Sequence, residues 1–129
     1  MKDINEILKI SLDNIIEGCQ IISPDFRYLY VNKSGARHGK SSVESLVGKR
    51  MVDVYPGIEN TELFVQMKHS MDEKTPYRME NLFKFPDGSD GWFELRLDPV
   101  PEGLMILSVD ITEEKGARNK LEELNKKLE

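Results

Sequence analysis

Within the stretch Trp92-Phe93-Glu94-Leu95-Arg96-Leu97-Asp98-Pro99-Val100, large apolar and charged side chains alternate for six residues, from Phe93 to Asp98. A period of two is the signature of a strand with one face in a core and one in water. On this phase Phe93, Leu95 and Leu97 face inward, while Glu94, Arg96 and Asp98 face out. Upstream, Tyr77 to Phe85 is a second strand, joined to the first through the turn Pro86-Asp87-Gly88. Downstream, Pro101-Gly103 turns the chain into a third strand, Leu104 to Ile111, which puts Ile106 and Ser108 inside and Met105, Leu107 and Val109 outside. Three consecutive strands joined by tight turns make an antiparallel meander.

The rest of the chain is arranged around that meander. Leu63, Phe64, Met67 and Met71 recur at helical spacing between Glu62 and Glu73, and Lys74-Thr75-Pro76 ends the run. Residues 32–47 carry two glycines and few large apolar groups, so only short helices or loops are expected there, and Gly48 to Val54 can hold another short helix. Before them, Cys19 to Ser23 and Arg27 to Val31 form a hairpin around Pro24-Asp25, with Cys19, Ile21 and Ser23 expected on the inner face. Residues 3–16 place Ile4, Ile7, Leu8, Leu12, Ile15 and Ile16 on one face of a helix, and Asp3 with Glu6 has capping-box spacing. At the other end Asp110-Ile111-Thr112 joins the last strand to a charged helix, where a carboxylate and a hydroxyl are placed to cap free N–H groups. Ala117, Leu121, Leu124 and Leu128 then recur at alternating four- and three-residue steps, the seam of a coiled coil. The final Leu128-Glu129 also fits a cloning remnant. The expected architecture is α+β, with two strands, a helical insert and three strands forming one antiparallel sheet with helices on one face.

The chain has 129 residues, a formal net charge of −5, 32% charged and 39% hydrophobic residues. That length suits one domain, and the acidic balance disfavours nucleic acid as a partner. No apolar run approaches the roughly 18 residues of a membrane span, and the N-terminus lacks the order of a secretory signal. With Cys19 as the single cysteine, no internal disulfide can form, and a cytoplasmic location is expected.

Five pieces in order resemble the PAS family of sensor domains over roughly residues 13–115. They are Phe26 to Asn32, Leu46-Val47-Gly48-Lys49, Pro86-Asp87-Gly88, Trp92 to Arg96, and Asp110-Ile111-Thr112. Val54-Tyr55-Pro56-Gly57 and Pro76-Tyr77-Arg78 are similar to the subgroup found in front of histidine kinases and related output domains. The resemblance implies a five-stranded sheet of order 2-1-5-4-3 enclosing a small cavity, flanked by an N-terminal helix in residues 1–17 and a signalling helix in 113–129. The core then occupies 18–112. It implies a regulatory module that passes a small-molecule or partner signal through the C-terminal coiled coil to a covalently linked output domain.

Alternation places the lining of such a cavity at Ile21, Ser23, Tyr30, Met67, Met71, Met79, Asn81, Phe83, Phe93, Leu95, Leu97, Ile106 and Ser108. The same residues would also suit a filled core, and the molecule would then be a constitutive homodimerisation module without a ligand. Asp110 and Thr112 are the expected signal relay. Flavin photochemistry in the family needs a cysteine on a central helix, whereas Cys19 lies on the first strand. A haem would need a ligand such as His69 on the long helix, where an imidazole near the helix end is more simply explained by the terminal carbonyls. His38 reads as a loop residue. No cofactor and no metal are expected. Gly35 and Gly39 lack the Lys-Ser/Thr ending of a phosphate loop, and no Ser, His or Cys has a nucleophile setting, so the segment is expected to be non-catalytic. The apolar stripe of the N-terminal helix must cover either the outer sheet face or a second copy of itself, and a homodimer is expected.

Overall fold

A computed structural model describes residues 3–13 and 15–128. Met1, Lys2, Asn14 and Glu129 lie outside the described residues, and with them the origin of the terminal Leu128-Glu129 pair. The chain runs α1 (Ile4–Asp13), β1 (Gly18–Ile22), β2 (Tyr28–Val31), α2 (Lys33–His38), α3 (Val43–Leu46), α4 (Met51–Val54), a 3-10 turn at Ile58–Asn60 and α5 (Glu62–Glu73). It ends β3 (Tyr77–Lys84), β4 (Asp90–Val100), β5 (Gly103–Asp110) and α6 (Thr112–Leu128). The sheet is antiparallel throughout in the order β2-β1-β5-β4-β3, the order that the family resemblance implies.

The meander is in the expected phase. Leu97 pairs with Ile106 and Leu95 with Ser108, and all four are buried on the inner face, over which α2 packs on β5 and α5 on β3, β4 and β5. The helix starts where Thr61 accepts the Phe64 N–H on its hydroxyl, and stops at Lys74, whose left-handed backbone breaks the spiral ahead of Pro76. Helix α1 begins as its spacing predicts, the Asp3 carboxylate accepting the Glu6 N–H at 2.8 Å.

The first strand is in the opposite phase from the one expected. Gly18, Gln20 and Ile22 pair with the inward residues Ser108, Ile106 and Leu104, so they face the helices, while Cys19 and Ile21 sit behind the sheet. Cys-Gln-Ile-Ile has no clean polar alternation, so the sequence could not choose between the two faces. A bulge between Ile21 and Ile22 then puts Tyr28 inside and leaves Tyr30 opposite Ile21 on the outer side.

Residues 32–54 are more ordered than their composition suggests. Asn32 has no accessible surface and is the hub of this region. Its Oδ1 accepts the Gly35 N–H, capping α2, and the Cys19 N–H, while its Nδ2 donates to the carbonyls of Leu12 and Glu17.

Candidate functional site

Between the inner sheet face and the helices lies a cavity of about 80 Å³. The sheet contributes Gln20, Tyr28, Asn81, Phe83, Phe93, Leu95, Ile106 and Ser108. The roof is built from Gly35, His38 and Gly39 at the end of α2, from Leu46 and Met51, and from Tyr55, Ile58, Leu63 and Met67. Tyr55, Ile58, Asn81 and Phe83 also border an outer groove beside β3, so these four side chains stand between the cavity and that groove. His38 and Phe93 likewise border a cleft that contains Asp110 and Thr112.

Of the residues expected to line a cavity, Met67, Asn81, Phe83, Phe93, Leu95, Ile106 and Ser108 are brought together around it. Met71, Met79 and Leu97 pack in the surrounding core without reaching it. Ile21, Ser23 and Tyr30 do not line it: Ile21 and Tyr30 are on the far face because of the strand phase, and Ser23 has left the strand to accept the Arg27 N–H in the hairpin turn. The missed residues include Gln20 and Tyr28, which a correct phase for β1 and β2 would have supplied. They also include His38, which is a half-buried helix-end residue rather than a loop residue. Its Nδ1 is 2.9 Å from Ser108 Oγ and its ring lies 5.5 Å from that of Phe93. His69 is exposed on α5, and Cys19 is buried behind β1.

The electrostatics of the lining are simple. Burial lowers the His38 pKa below its ordinary value, with Arg37 acting in the same direction and Asp110 opposing. Burial raises the phenol of Tyr28, with Tyr55 adding to it, and pushes Tyr55 up to about 12. The Tyr55 hydroxyl donates to the Gly39 carbonyl at 2.7 Å. Among the described residues, no group of three or more His, Cys, Asp or Glu is placed to hold a metal ion. No helix there is long and apolar enough to cross a membrane.

At the strand-to-helix junction, the Asp110 carboxylate accepts both the Thr112 N–H (3.0 Å) and the Thr112 hydroxyl (2.6 Å). Burial alone would raise the Asp110 pKa, but these bonds and nearby His38 hold it below the usual carboxylate value. Thr112 is itself the first residue of α6, so its hydroxyl cannot serve the later N–H groups of the helix. It accepts the Trp92 N–H of β4 at 3.0 Å, and the Ile111 N–H donates to the Trp92 carbonyl at 2.9 Å. Lys115, one turn on, spans the outer sheet face: its Nζ is 2.9 Å from Glu80 Oε1 and 4.5 Å from the centre of the Trp92 ring, with the side chain only 18% exposed. The start of α6 is thus fastened to β3 and β4. Sequence reading placed the relay at the Asp110 junction and had no signal for this second fastening, which joins residues far apart in the chain.

The family model described as the PAS fold matches residues 12–116. Among solved structures, the chain is similar to the PAS domain of a protein from Colwellia psychrerythraea (TM-score 0.70, 16% identity, 86% of this chain and 99% of that one). It is similar to an RNA-binding Light-Oxygen-Voltage receptor (TM-score 0.75, 17% identity, 95% of this chain and 37% of that one). It is also similar to a domain of a sensory box sensor histidine kinase/response regulator from Geobacter sulfurreducens (TM-score 0.63, 17% identity, 82% of this chain and 91% of that one). At such identities the likeness concerns the fold. No curated protein matches the sequence.

Proposed function

Because the chain belongs to the PAS family, we propose that it is a sensory module whose inner cavity takes a small molecule and whose α6 carries the response to an output domain further along the chain, a histidine kinase in the simplest case. A single arrangement carries this reading. Asn81 and Phe93 face each other across β3 and β4 and line the cavity, while their sequence neighbours Glu80 and Trp92 point to the other face and hold Lys115 of α6. Side chains adjacent on a strand point to opposite faces, so a shift of the β3–β4 pair driven from inside is delivered to the helix in one residue step. Asp110 and Thr112 fasten the same helix to β4 from its start. A ligand moves this equilibrium only to the extent that it binds the two positions of the strand pair differently.

The segment itself carries no catalysis in this proposal, and works as a homodimer. The stripe of α1 supports the dimer: Ile4, Ile7 and Leu8 are 68%, 47% and 53% exposed and so do not cover the outer sheet face. Leu121 and Leu124 of α6 are exposed as well, which suits a parallel pair of exit helices. The same exposure supports the second reading, a constitutive dimerisation module whose cavity plays no part.

Trp92 is the sole tryptophan, so its emission reports on the Lys115 contact. Asn81→Phe puts an aromatic ring into the cavity as a surrogate ligand. A sensory module should show a shift in Trp92 emission in this variant that is lost when Lys115→Ala is added. A constitutive dimerisation module should show the same small effect with and without Lys115.

A further inference from the structure

We propose that the cavity takes an uncharged, hydrogen-bonding molecule of about five non-hydrogen atoms, with the size and polarity of a short-chain amide. This rests on the sensory reading above and specifies its ligand. The first argument is charge. Among the described residues, no Lys, Arg, Asp or Glu lines the cavity, and the titratable groups that do are His38, Tyr28 and Tyr55. The two phenols are held neutral by burial, and the His38 imidazole is engaged with the Ser108 hydroxyl. An ionised ligand would leave water without a counter-charge to meet it, which strongly disfavours binding.

The second argument is polarity. Gln20, Tyr28 and Asn81 reach the cavity from three different strands, and among the described residues neither amide nor the Tyr28 hydroxyl has a side-chain hydrogen-bond partner. Each of these groups both donates and accepts, so each is matched by a neutral ligand that does the same. A purely apolar ligand would leave them unsatisfied. The third argument is size. The 80 Å³ available is about half of the ~150 Å³ that admits benzene in an engineered apolar cavity, which leaves no room for an extended ring system.

The test is an NMR titration of the intact chain with propionamide and with propionate, which match in size and differ in charge, at neutral pH. Propionamide should shift the methyls of Met51 and Met67 and the side-chain amides of Gln20 or Asn81, and propionate should bind at least about tenfold more weakly. Tyr28→Phe or Asn81→Leu should weaken propionamide binding severalfold with the melting temperature nearly unchanged. Propionate binding as tightly as propionamide, or neither compound shifting the cavity resonances, would overturn the assignment. Trp92 emission followed in the same titration separates the two levels. Propionamide in the cavity with no response at Trp92 would leave the ligand class standing and remove the sensory reading. Propionate in the cavity with a response at Trp92 would do the reverse.

Discussion

At the scale of single residues, Asn32 shows how much one buried side chain can organise. It joins α1, β1 and α2 through four hydrogen bonds, and two of the groups it serves, the N–H of Cys19 and of Gly35, are buried. Asn32→Ala strands both donors and should lower unfolding free energy by roughly 2–4 kcal/mol in urea titrations. The composition of residues 32–47 does not single out Asn32, and its bond to Cys19 depends on the hairpin register, which is invisible in the sequence. Gly18 is similar: a Cβ there would overlap the Ser108 hydroxyl and come within 2.9 Å of His38 Nδ1 and Gly35 Cα. Gly18→Ala should therefore cost about 1–3 kcal/mol in the same assay. His38 gives a pH dependence. Its folded pKa lies below the ordinary 6.5, so the unfolded chain binds the extra proton first as pH falls. The stabilisation is complete above about 6.5 and is lost as pH drops toward the folded pKa, so the melting temperature should fall across that window, and that part of the slope should vanish in His38→Gln.

At the scale of elements, what the sequence shows depends on how strongly each segment is patterned. β4 alternates from Phe93 to Asp98, and α5 shows helical spacing from Leu63 to Met71 with a stop at Lys74-Thr75-Pro76, so both are legible. β1 is a short apolar run whose phase is set by pairing with β5, and that one ambiguity misplaced Ile21 and Tyr30 while hiding Gln20 and Tyr28. For α6, the sequence displays the junction and the seam but not the contact of Lys115 with Trp92. A partly desolvated cation on an indole face contributes about 0.5–1 kcal/mol, enough to bias a helix of which no residue is buried. Lys115→Ala should therefore raise amide exchange in the first two turns of α6, leave the melting temperature of the core within a few degrees, and be largely rescued by Lys115→Arg. Equal loss of protection throughout the sheet would mean that Lys115 supports the fold rather than the direction of the helix.

At the scale of the whole molecule, the sheet buries its inner face under α2 to α5 and leaves two apolar stripes exposed, one on α1 and one on α6. Chain alternation could show that these stripes exist, but not that Ile4, Ile7 and Leu8 of α1 stay exposed instead of covering the outer sheet face. In sedimentation equilibrium the native chain should be a dimer, and Ile7→Asp with Leu8→Asp should give a folded monomer, because both positions are exposed within one copy. The central claim is that the cavity and α6 are joined through β3 and β4. Its most direct test is hydrogen exchange at the amides of residues 113–118, compared between the native chain and Asn81→Phe. Exchange there should change by several-fold on filling the cavity while α1 stays as it was. Unchanged exchange in α6, with the ring shown by methyl shifts of Met67 to occupy the cavity, would contradict the account.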